Sequence, residues 1–371
     1  MRPQLWLPAL ASLAGLVAAE DGLDGWLRYA RLPKCHTEGR LDAFPSSIIT
    51  LNATKGSPVE TAGNELQDGI SGILGLDLDV NDGVSSSNAD DEESRRIIVS
   101  TIDAYEAEFD DLPSEAADLI TDGFYLSTTE GEDVLILGSN ERGALYGAFE
   151  YLSMLAQANF KEVSYATNPD APIRWANQWD NLWQNGTHGS IERGYGGVSI
   201  FFDGVGHVRE DLSRVPLYGR LLASVRVNAI VINNVNADPT IFNERNMNGL
   251  EKIADLFRPW GVQVGLSLNF ASPKTFGGLD TFDPLDEGVI TWWQDLTDEI
   301  YRRIPDMAGY LVKANSEGQP GPAEYNRTLA QGANLFAHAV EPYGAVVMFR
   351  AFVYSTLPQM TSLLVQLSTN L

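Results

Sequence analysis

Short apolar segments recur through the second half of the chain, and helix-like stretches separate them at spacings of about 30 to 50 residues. The segments that we predict as strands are Trp175 to Trp179, Ala229 to Val235, Val262 to Asn269, Gly309 to Asn315 and Ala345 to Phe352. Parallel strands need a long crossover connection, which is usually a helix, so this alternation is typical of a parallel β/α fold. From Ile173 onward we therefore expect one parallel sheet with helices between its strands.

The first half of the chain has a different pattern, in which strand-like and helix-like runs are mixed. We predict strands at Ser47 to Leu51, Arg96 to Thr101 and Val134 to Leu137, and helices at residues 60–75 and 141–157. These elements predict an amino-terminal α/β sandwich domain over residues 20–165. The acidic stretch from Leu76 to Glu93 is rich in Ser, Asn and Asp and lacks apolar periodicity, which predicts a surface loop.

The composition fits a globular protein of roughly two domains, because 371 residues with 44% hydrophobic and 10% aromatic content can bury a sizeable core. A formal net charge of −25 argues against nucleic acid as a partner. It does not exclude an anionic sugar, because one or two well-placed cations suffice at short range and distant charge is screened within roughly 10 Å at 0.1 M salt. The four histidines show no metal-ligand spacing, so we expect neither a metal nor a cofactor.

The amino terminus has the pattern of a secretory signal. An apolar run from Leu5 to Val17 ends in Ala18-Ala19, which predicts a signal peptide over residues 1–19. The run is too short for a membrane span, and we expect no membrane partner. Acceptor sequons for glycosylation begin at Asn52, Asn185 and Asn326. These features predict a secreted, extracellular glycoprotein, in which the single cysteine, Cys35, has no internal disulfide partner and is either buried or free.

The segment from Leu311 to Pro322 carries an apolar strand directly into a cation, an amide and a carboxylate, and then into a Gly/Pro turn. If the extended geometry persists, Lys313, Asn315 and Glu317 leave the backbone on one side, because side chains alternate along a strand. Parallel β/α folds place their chemistry at the carboxyl ends of their strands. The segment therefore predicts an active-site strand end. The alternative is a strand whose exposed face carries a solvated Lys and Glu.

This segment also resembles the signature of the microbial α-glucuronidases of glycoside hydrolase family 67. Further blocks are similar to that family in the same order, namely Asp24 to Tyr29, Gly138 to Tyr151, Asn177 to Asn181 with Ile191 to Tyr195, and Val347 to Tyr354. The resemblance covers the chain from about residue 20 to Tyr354. It implies a (β/α)8 barrel, and inverting hydrolysis of α-1,2-linked (4-O-methyl-)glucuronic acid from xylo-oligosaccharides during xylan breakdown.

The resemblance also implies roles for individual residues. Glu317 matches the family's catalytic acid, Lys313 and Arg350 match residues that hold the substrate uronate, and Trp179 matches an aromatic residue of the sugar pocket. The alternatives are that Arg350 is a strand-end ion-pair partner and that Trp179 belongs to the core. We interpret Glu141-Arg142 and Glu192-Arg193 as structural ion pairs and expect them to lie outside the site.

The chain also departs from the family pattern. Residues 173–371 offer five predicted strands rather than eight, and 199 residues rather than the roughly 250 of a full barrel. We therefore predict a partial catalytic barrel over residues 166–354, a chain that is truncated after about Tyr354, and a tail at 355–371 that does not resemble the family. An insertion at Leu182 to Gly189 is a second departure.

These departures bear on activity, because an inverting glycosidase needs a second carboxylate that activates water. The family's base carboxylates, an Asp and a Glu, lie on strands beyond the last matching block. We therefore expect hydrolysis to be lost or strongly impaired in this chain. The alternatives are a non-catalytic uronic-acid-binding protein and an unstable, mis-spliced fragment, and the sequence leaves the oligomeric state open.

Overall fold

The computed structural model describes residues 25–83, 95–183, 191–192 and 197–350. The strands in these ranges are β1 (Ser47–Thr50), β2 (Asp79–Asp82), β3 (Arg96–Thr101), β4 (Phe124–Ser127), β5 (Val134–Gly138), β6 (Ser164–Thr167), β7 (Trp175–Asp180), β8 (Ala229–Asn233), β9 (Gln263–Leu268), β10 (Gly309–Lys313) and β11 (Val346–Arg350). The helices are α1 (Lys34–Thr37), α2 (Pro58–Leu74), α3 (Ile102–Phe109), α4 (Glu141–Ala156), α5 (Arg214–Ser224), α6 (Glu244–Phe257), α7 (Ser272–Thr275), α8 (Glu287–Arg303) and α9 (Leu329–Val340). None of these helices is long and apolar enough to cross a membrane.

The amino-terminal domain contains a six-stranded mixed sheet in the order β2-β1-β3-β5-β4-β6. Strand β4 runs antiparallel to both of its neighbours, and the other pairs are parallel. Helices α2 and α4 pack together on one face over a core that includes Ile97, Ile136 and Leu152. The predicted strands and helices of this α/β domain are confirmed, and their ends differ from the predicted ends by two residues at most.

Capping residues explain where these two helices begin and end. The Ser57 side chain accepts a hydrogen bond from the Glu60 N–H at 3.2 Å, and Pro58 follows at the first helical position, where it costs no backbone hydrogen bond. Helix α2 ends at Gly75, whose φ of 69° lies in the left-handed region that favours glycine. Asn140 caps α4 in the same way, accepting from the Gly143 N–H at 2.8 Å.

The prediction of a surface loop over Leu76 to Glu93 is wrong in part, because β2 lies within it. Strand β2 pairs with β1 at the edge of the sheet, and its residues are half-buried or exposed. An edge strand is held by backbone hydrogen bonds along one side, so polar side chains do not prevent it from forming. Residues 84–94 lie outside the described residues. The predicted domain boundary between residues 165 and 166 falls within β6, which pairs with β4.

The second domain is a parallel sheet in which β7 to β11 are neighbours in sequence order. All five predicted strands are present, and α5, α6, α8 and α9 lie in the connections between them. Sequential parallel strands with intervening helices are the architecture of a (β/α)8-type barrel. The amino-terminal α/β domain is therefore followed by five strands of a partial barrel, as predicted.

The two faces of this parallel sheet bury different clusters. Tyr310 and Val312 of β10 pack in the large core that includes residues of α6, α8 and α9. Leu311, on the opposite face, joins a small cluster with Trp179 and Met348 partly buried against it. We call the face that carries Leu311 the inner face. Because side chains alternate along a strand, residues two positions beyond Leu311 and Met348 also leave the sheet on this inner face.

A buried carboxylate joins the two domains. Asp122 accepts hydrogen bonds from Asn140 and Arg142 of α4 at 2.9 and 2.8 Å. It also accepts from Arg174, just before β7, at 2.8 Å and from Asn228, just before β8, at 3.2 Å. Burial by itself would raise the pKa of Asp122, but Arg142, Asn140 and Arg174 outweigh burial and hold it below its ordinary value. Arg142 therefore pairs with Asp122 rather than with Glu141.

Candidate active site

Lys313 is the last residue of β10 and lies on the inner face, two positions beyond Leu311. The residue is only 2% exposed. Its ammonium group donates to Asn236 Oδ1 at 2.9 Å and to Glu317 Oε2 at 2.5 Å. A buried ammonium requires such partners, because taking a charge out of water is expensive. The geometry therefore fixes the Lys313 ammonium at the carboxyl end of the sheet.

Glu317 reaches Lys313 by a route that differs from the predicted one. The extended geometry ends at Lys313, and both Asn315 and Glu317 have positive φ values, of 48° and 49°. The chain therefore turns back, and the 42% exposed Glu317 side chain meets the Lys313 ammonium across four residues. Asn315 does not join them, because its Oδ1 accepts from the Ala323 N–H at 2.9 Å. The prediction of three side chains on one strand face is wrong, whereas Lys313 and Glu317 do come together.

Arg350 brings a second cation to the same edge. In the parallel pairing of β10 with β11, Arg350 is the register partner of Lys313. It lies two positions beyond Met348, so it also leaves the sheet on the inner face. The guanidinium carbon lies 5.6 Å from the centre of the Trp179 ring, a distance typical of a cation–π contact. Trp179 thus both packs in the inner cluster and supports Arg350.

The carboxyl ends of β7 and β8 extend this polar group in a chain of hydrogen bonds. Asn236, which accepts from Lys313, also donates its backbone N–H to Asn234 Oδ1 at 2.9 Å. The Asn234 amide in turn donates to Asn181 Oδ1 at 2.8 Å and to Glu192 Oε2. Glu192 therefore belongs to the same edge as Lys313, while Arg193, its predicted ion-pair partner, lies outside the described residues. The pattern Ile232-Asn233-Asn234, polar residues directly after a buried strand, is the signal that would have indicated Asn234.

Other strand-end residues have different surroundings. Asn269 shapes its own loop, donating to the Ala237 carbonyl at 3.0 Å and accepting from the Ala271 N–H at 2.9 Å. Asp180 is fully buried and accepts from the Ser199 hydroxyl. Its Oδ1 has no hydrogen-bond partner in the described part of the chain. Desolvation raises the pKa of the Asp180 carboxyl to about 6, although Ser199 opposes the shift.

The predicted glycosylation residues are placed in part. Asn52 follows β1 and Asn326 follows a short 3₁₀ helix, and both are exposed, with φ values of 55°. Asn185, the signal peptide and residues 355–371 lie outside the described residues. Cys35 is exposed and free. Within the described ranges, no group of three or more His, Cys, Asp or Glu side chains is positioned to hold a metal ion.

Comparison with known proteins assigns both halves of the chain. The model of the glycosyl hydrolase family 67 N-terminus matches residues 25–151, and that of the family 67 middle domain matches residues 153–363. The second match includes residues 355–363 of the tail that we predicted not to resemble the family.

Curated relatives cover almost all of this chain. It is 61% identical to "Alpha-glucuronidase" of Hypocrea jecorina over 342 residues, which are 92% of this chain and 40% of the relative. It is 58% identical to "Alpha-glucuronidase A" of Emericella nidulans over 354 residues, 95% of this chain and 40% of the relative. The chain thus spans about 40% of the length of these relatives. A solved GH138 enzyme targeting pectin rhamnogalacturonan II is 15% identical with a TM-score of 0.49, over 82% of this chain and 35% of that one.

Proposed function

Because this chain belongs to glycoside hydrolase family 67, we propose that it carries the acid and uronate-binding groups of an α-glucuronidase acting on glucuronic-acid-substituted xylo-oligosaccharides. The reaction is inverting hydrolysis of the α-1,2 link between (4-O-methyl-)glucuronic acid and xylose. The observation that carries the proposal is the pair of cations, Lys313 and Arg350, at facing register positions on neighbouring strands.

The substrate carboxylate has a natural place between these two cations. Lys313 has three N–H donors, and two of them go to Asn236 and Glu317. The third is available to a ligand, since no other acceptor of this ammonium occurs among the described residues. Arg350 presents a planar guanidinium of the geometry that suits a carboxylate, and the guanidinium lies over the Trp179 ring. The uronate would be held by charge and the sugar ring by the aromatic side chain.

Glu317 is the proposed proton donor for the leaving xylose oxygen. It is partly exposed, so it can reach a ligand, yet it lies within hydrogen-bond distance of the residue that holds the uronate. When Lys313 redirects an N–H to the substrate carboxylate, its hold on Glu317 weakens, and Glu317 can then carry the proton that general acid catalysis requires. Binding of the uronate would thus prepare the acid.

A second candidate function is uronate binding without hydrolysis. Lys313 contacts one carboxyl in the described part of the chain, that of Glu317, while Asp180 is buried with Ser199 and Glu192 is held by Asn234. Hydrolysis with inversion needs a second carboxylate about 6.5 to 9.5 Å from the acid, with space for a water between them. Asp180 and Glu192 are already hydrogen-bonded to Ser199 and Asn234, which supports binding over turnover.

One experiment separates the two candidates. The folded chain is titrated with an aldouronic acid, a xylo-oligosaccharide that carries 4-O-methylglucuronic acid, and heat of binding and released glucuronic acid are both measured. Binding with release supports the α-glucuronidase, and binding without release supports the binding protein. If folded protein neither binds nor hydrolyses the ligand, both proposals fail.

Secretion and glycosylation remain part of the same proposal. Asn52 and Asn326 are exposed in turns, where a glycan can be attached without disturbing the core. Glycopeptide mapping of the protein secreted by a fungal host, together with amino-terminal sequencing, tests this. A mature terminus near Ala19 and occupied sequons are expected. The control is a reporter protein that carries its own signal peptide and is secreted by the same host. If the host secretes this reporter but retains our protein in the cytosol, the proposal of secretion is contradicted.

A further inference from the structure

The amino-terminal domain contains a cavity that is separate from the strand ends of the barrel. Its volume is about 270 Å³, and its lining comes from residues 39–45, 95, 128–134 and 151–162. Pockets that hold drug-sized ligands measure roughly 300 to 1,000 Å³, so this one is suited to a single small ring. None of the residues that form the candidate active site lines it.

The floor of the cavity combines apolar side chains with one unpaired hydroxyl. Tyr151, Met154 and Leu155 of α4 are all buried, and Tyr151 is 5% exposed. The Tyr151 hydroxyl has no hydrogen-bond partner within the described ranges. Burial raises the pKa of this hydroxyl, which therefore stays protonated and can both donate and accept. Because Tyr151 lines the cavity, its hydroxyl can form a hydrogen bond to a polar ligand there.

One wall is formed by Arg40 and Phe160. The Arg40 guanidinium carbon lies 5.3 Å from the centre of the Phe160 ring, so the cation and the aromatic side chain stack on each other. Beside them, Asn159 uses its Oδ1 to accept from the Lys161 N–H at 3.3 Å. Its amide N–H groups have no acceptor among the described residues and are available to a ligand. Apolar surface thus alternates with donors around the opening.

The charges around the cavity favour a neutral ligand over an anion. Arg95 is part of the wall, but its guanidinium donates to the carbonyls of Glu132, Ala43 and Thr129 at 2.6, 2.9 and 3.1 Å. It therefore holds the wall together and has little capacity left for a ligand. The remaining charged side chains of the lining are two cations and two carboxylates, namely Arg40, Lys161, Glu130 and Glu162. These four charges cancel, so they give an anion no net attraction, whereas sugar hydroxyls can donate to the two glutamates.

We propose that this cavity is a second carbohydrate site, which binds one unsubstituted xylose unit of the xylan main chain. The C–H faces of a pentopyranose match Met154, Leu155 and Phe160, and its hydroxyls match Tyr151, Asn159 and the charged rim. The choice of xylose rests on the function proposed above. One substrate molecule would carry a uronate that binds to the barrel and unsubstituted xylose units that bind to the amino-terminal domain.

The test uses xylotriose, which carries no uronate, and the whole 371-residue chain. Wild-type protein is titrated with xylotriose by calorimetry, together with Tyr151→Phe, Phe160→Ala and Lys313→Met. Tyr151→Phe removes one hydrogen bond and keeps the ring, so we expect binding to weaken about three- to tenfold with an unchanged melting temperature. Phe160→Ala should weaken binding further, while Lys313→Met should leave it unchanged.

The outcomes distinguish this proposal from the previous one. Loss of xylotriose binding in Lys313→Met, with retention in Tyr151→Phe, would assign the binding to the barrel and overturn the second site. Absence of binding to folded wild-type protein would also overturn it. Glucuronic acid serves as the second probe, because its binding should depend on Lys313 and not on Tyr151. If glucuronic acid instead binds with a dependence on Tyr151, the cavity takes anions and the xylose assignment is wrong.

Discussion

Lys313 and Arg350 are register partners at the carboxyl ends of β10 and β11. Partners in a parallel pair project from the same face, so two cations stand side by side on the inner face of the sheet. Two cations on one face repel each other, and nearby anions reduce that repulsion. Glu317 is one such anion, and a substrate uronate is the second that we propose.

Replacing Lys313 by methionine should greatly weaken uronate binding. Truncating one partner of a buried, hydrogen-bonded charge pair typically costs about 2 to 5 kcal/mol, which is roughly 30- to 5,000-fold in affinity. Calorimetric titration with glucuronic acid measures this. Lys274→Met is the matched control, because Lys274 is exposed on α7 and should leave affinity unchanged. Equal affinity of the two variants would remove Lys313 from the site.

The contact between Arg350 and Trp179 should appear as a coupling in uronate binding. Arg350→Lys keeps the charge but loses the planar guanidinium that stacks on the ring, and Trp179→Leu removes the ring. In a double-mutant cycle we expect a coupling of about 0.5 to 2 kcal/mol. Strictly additive effects would favour the alternatives, in which Arg350 is a strand-end ion-pair residue and Trp179 is only part of the core.

Glu317→Gln should separate binding from chemistry. The amide removes a negative charge that competes with the uronate for Lys313, so affinity for glucuronic acid should increase several-fold. Any release of glucuronic acid by the wild-type chain should fall by about 10² to 10⁴, the usual contribution of a general acid. Glu341→Gln, an exposed site on the outer side, is the control. Weaker binding by Glu317→Gln would show that this carboxylate holds the ligand rather than competing with it.

Sequence patterns were sufficient to predict the regular strands and their ends. They failed where the backbone is irregular. Strands β7 to β11 and the positions of Lys313 and Arg350 could be predicted because apolar alternation and strand ends are visible in the sequence. The turn at Asn315 and Glu317 could not, because both residues take positive φ values that non-glycine residues rarely adopt. The contact of Glu192 with Asn234 could not be predicted either, because Asn234 is 42 residues away on another strand end.

Asp122→Asn should destabilise the fold without touching the site. The variant leaves Arg142 and Arg174 without their common anion, and breaking a buried ion pair from one side costs about 3 to 5 kcal/mol. Urea unfolding at neutral pH measures the loss, with the exposed Asp255→Asn as control. Because the pKa of Asp122 is lowered in the folded state, its contribution is present above the unfolded pKa and should disappear as pH falls through the folded pKa. A penalty that persists under acidic conditions would contradict this.

Asp180 should make the protein less stable as the pH rises from about 4 to 6. Its pKa is raised from 3.8 to about 6, chiefly by desolvation, so the folded state keeps a proton that the unfolded chain releases. The free energy of unfolding therefore falls through this window, by about 3 kcal/mol for two pKa units, and the loss is nearly complete at about pH 7. Asp180→Asn has no such proton, and Asn can still accept from Ser199. Urea unfolding gives the free energy of unfolding of both proteins at pH 4 and at pH 7. From pH 4 to pH 7, the stability of the variant relative to wild type should rise by about 3 kcal/mol. The same difference at both pH values would show that Asp180 is ionised at both.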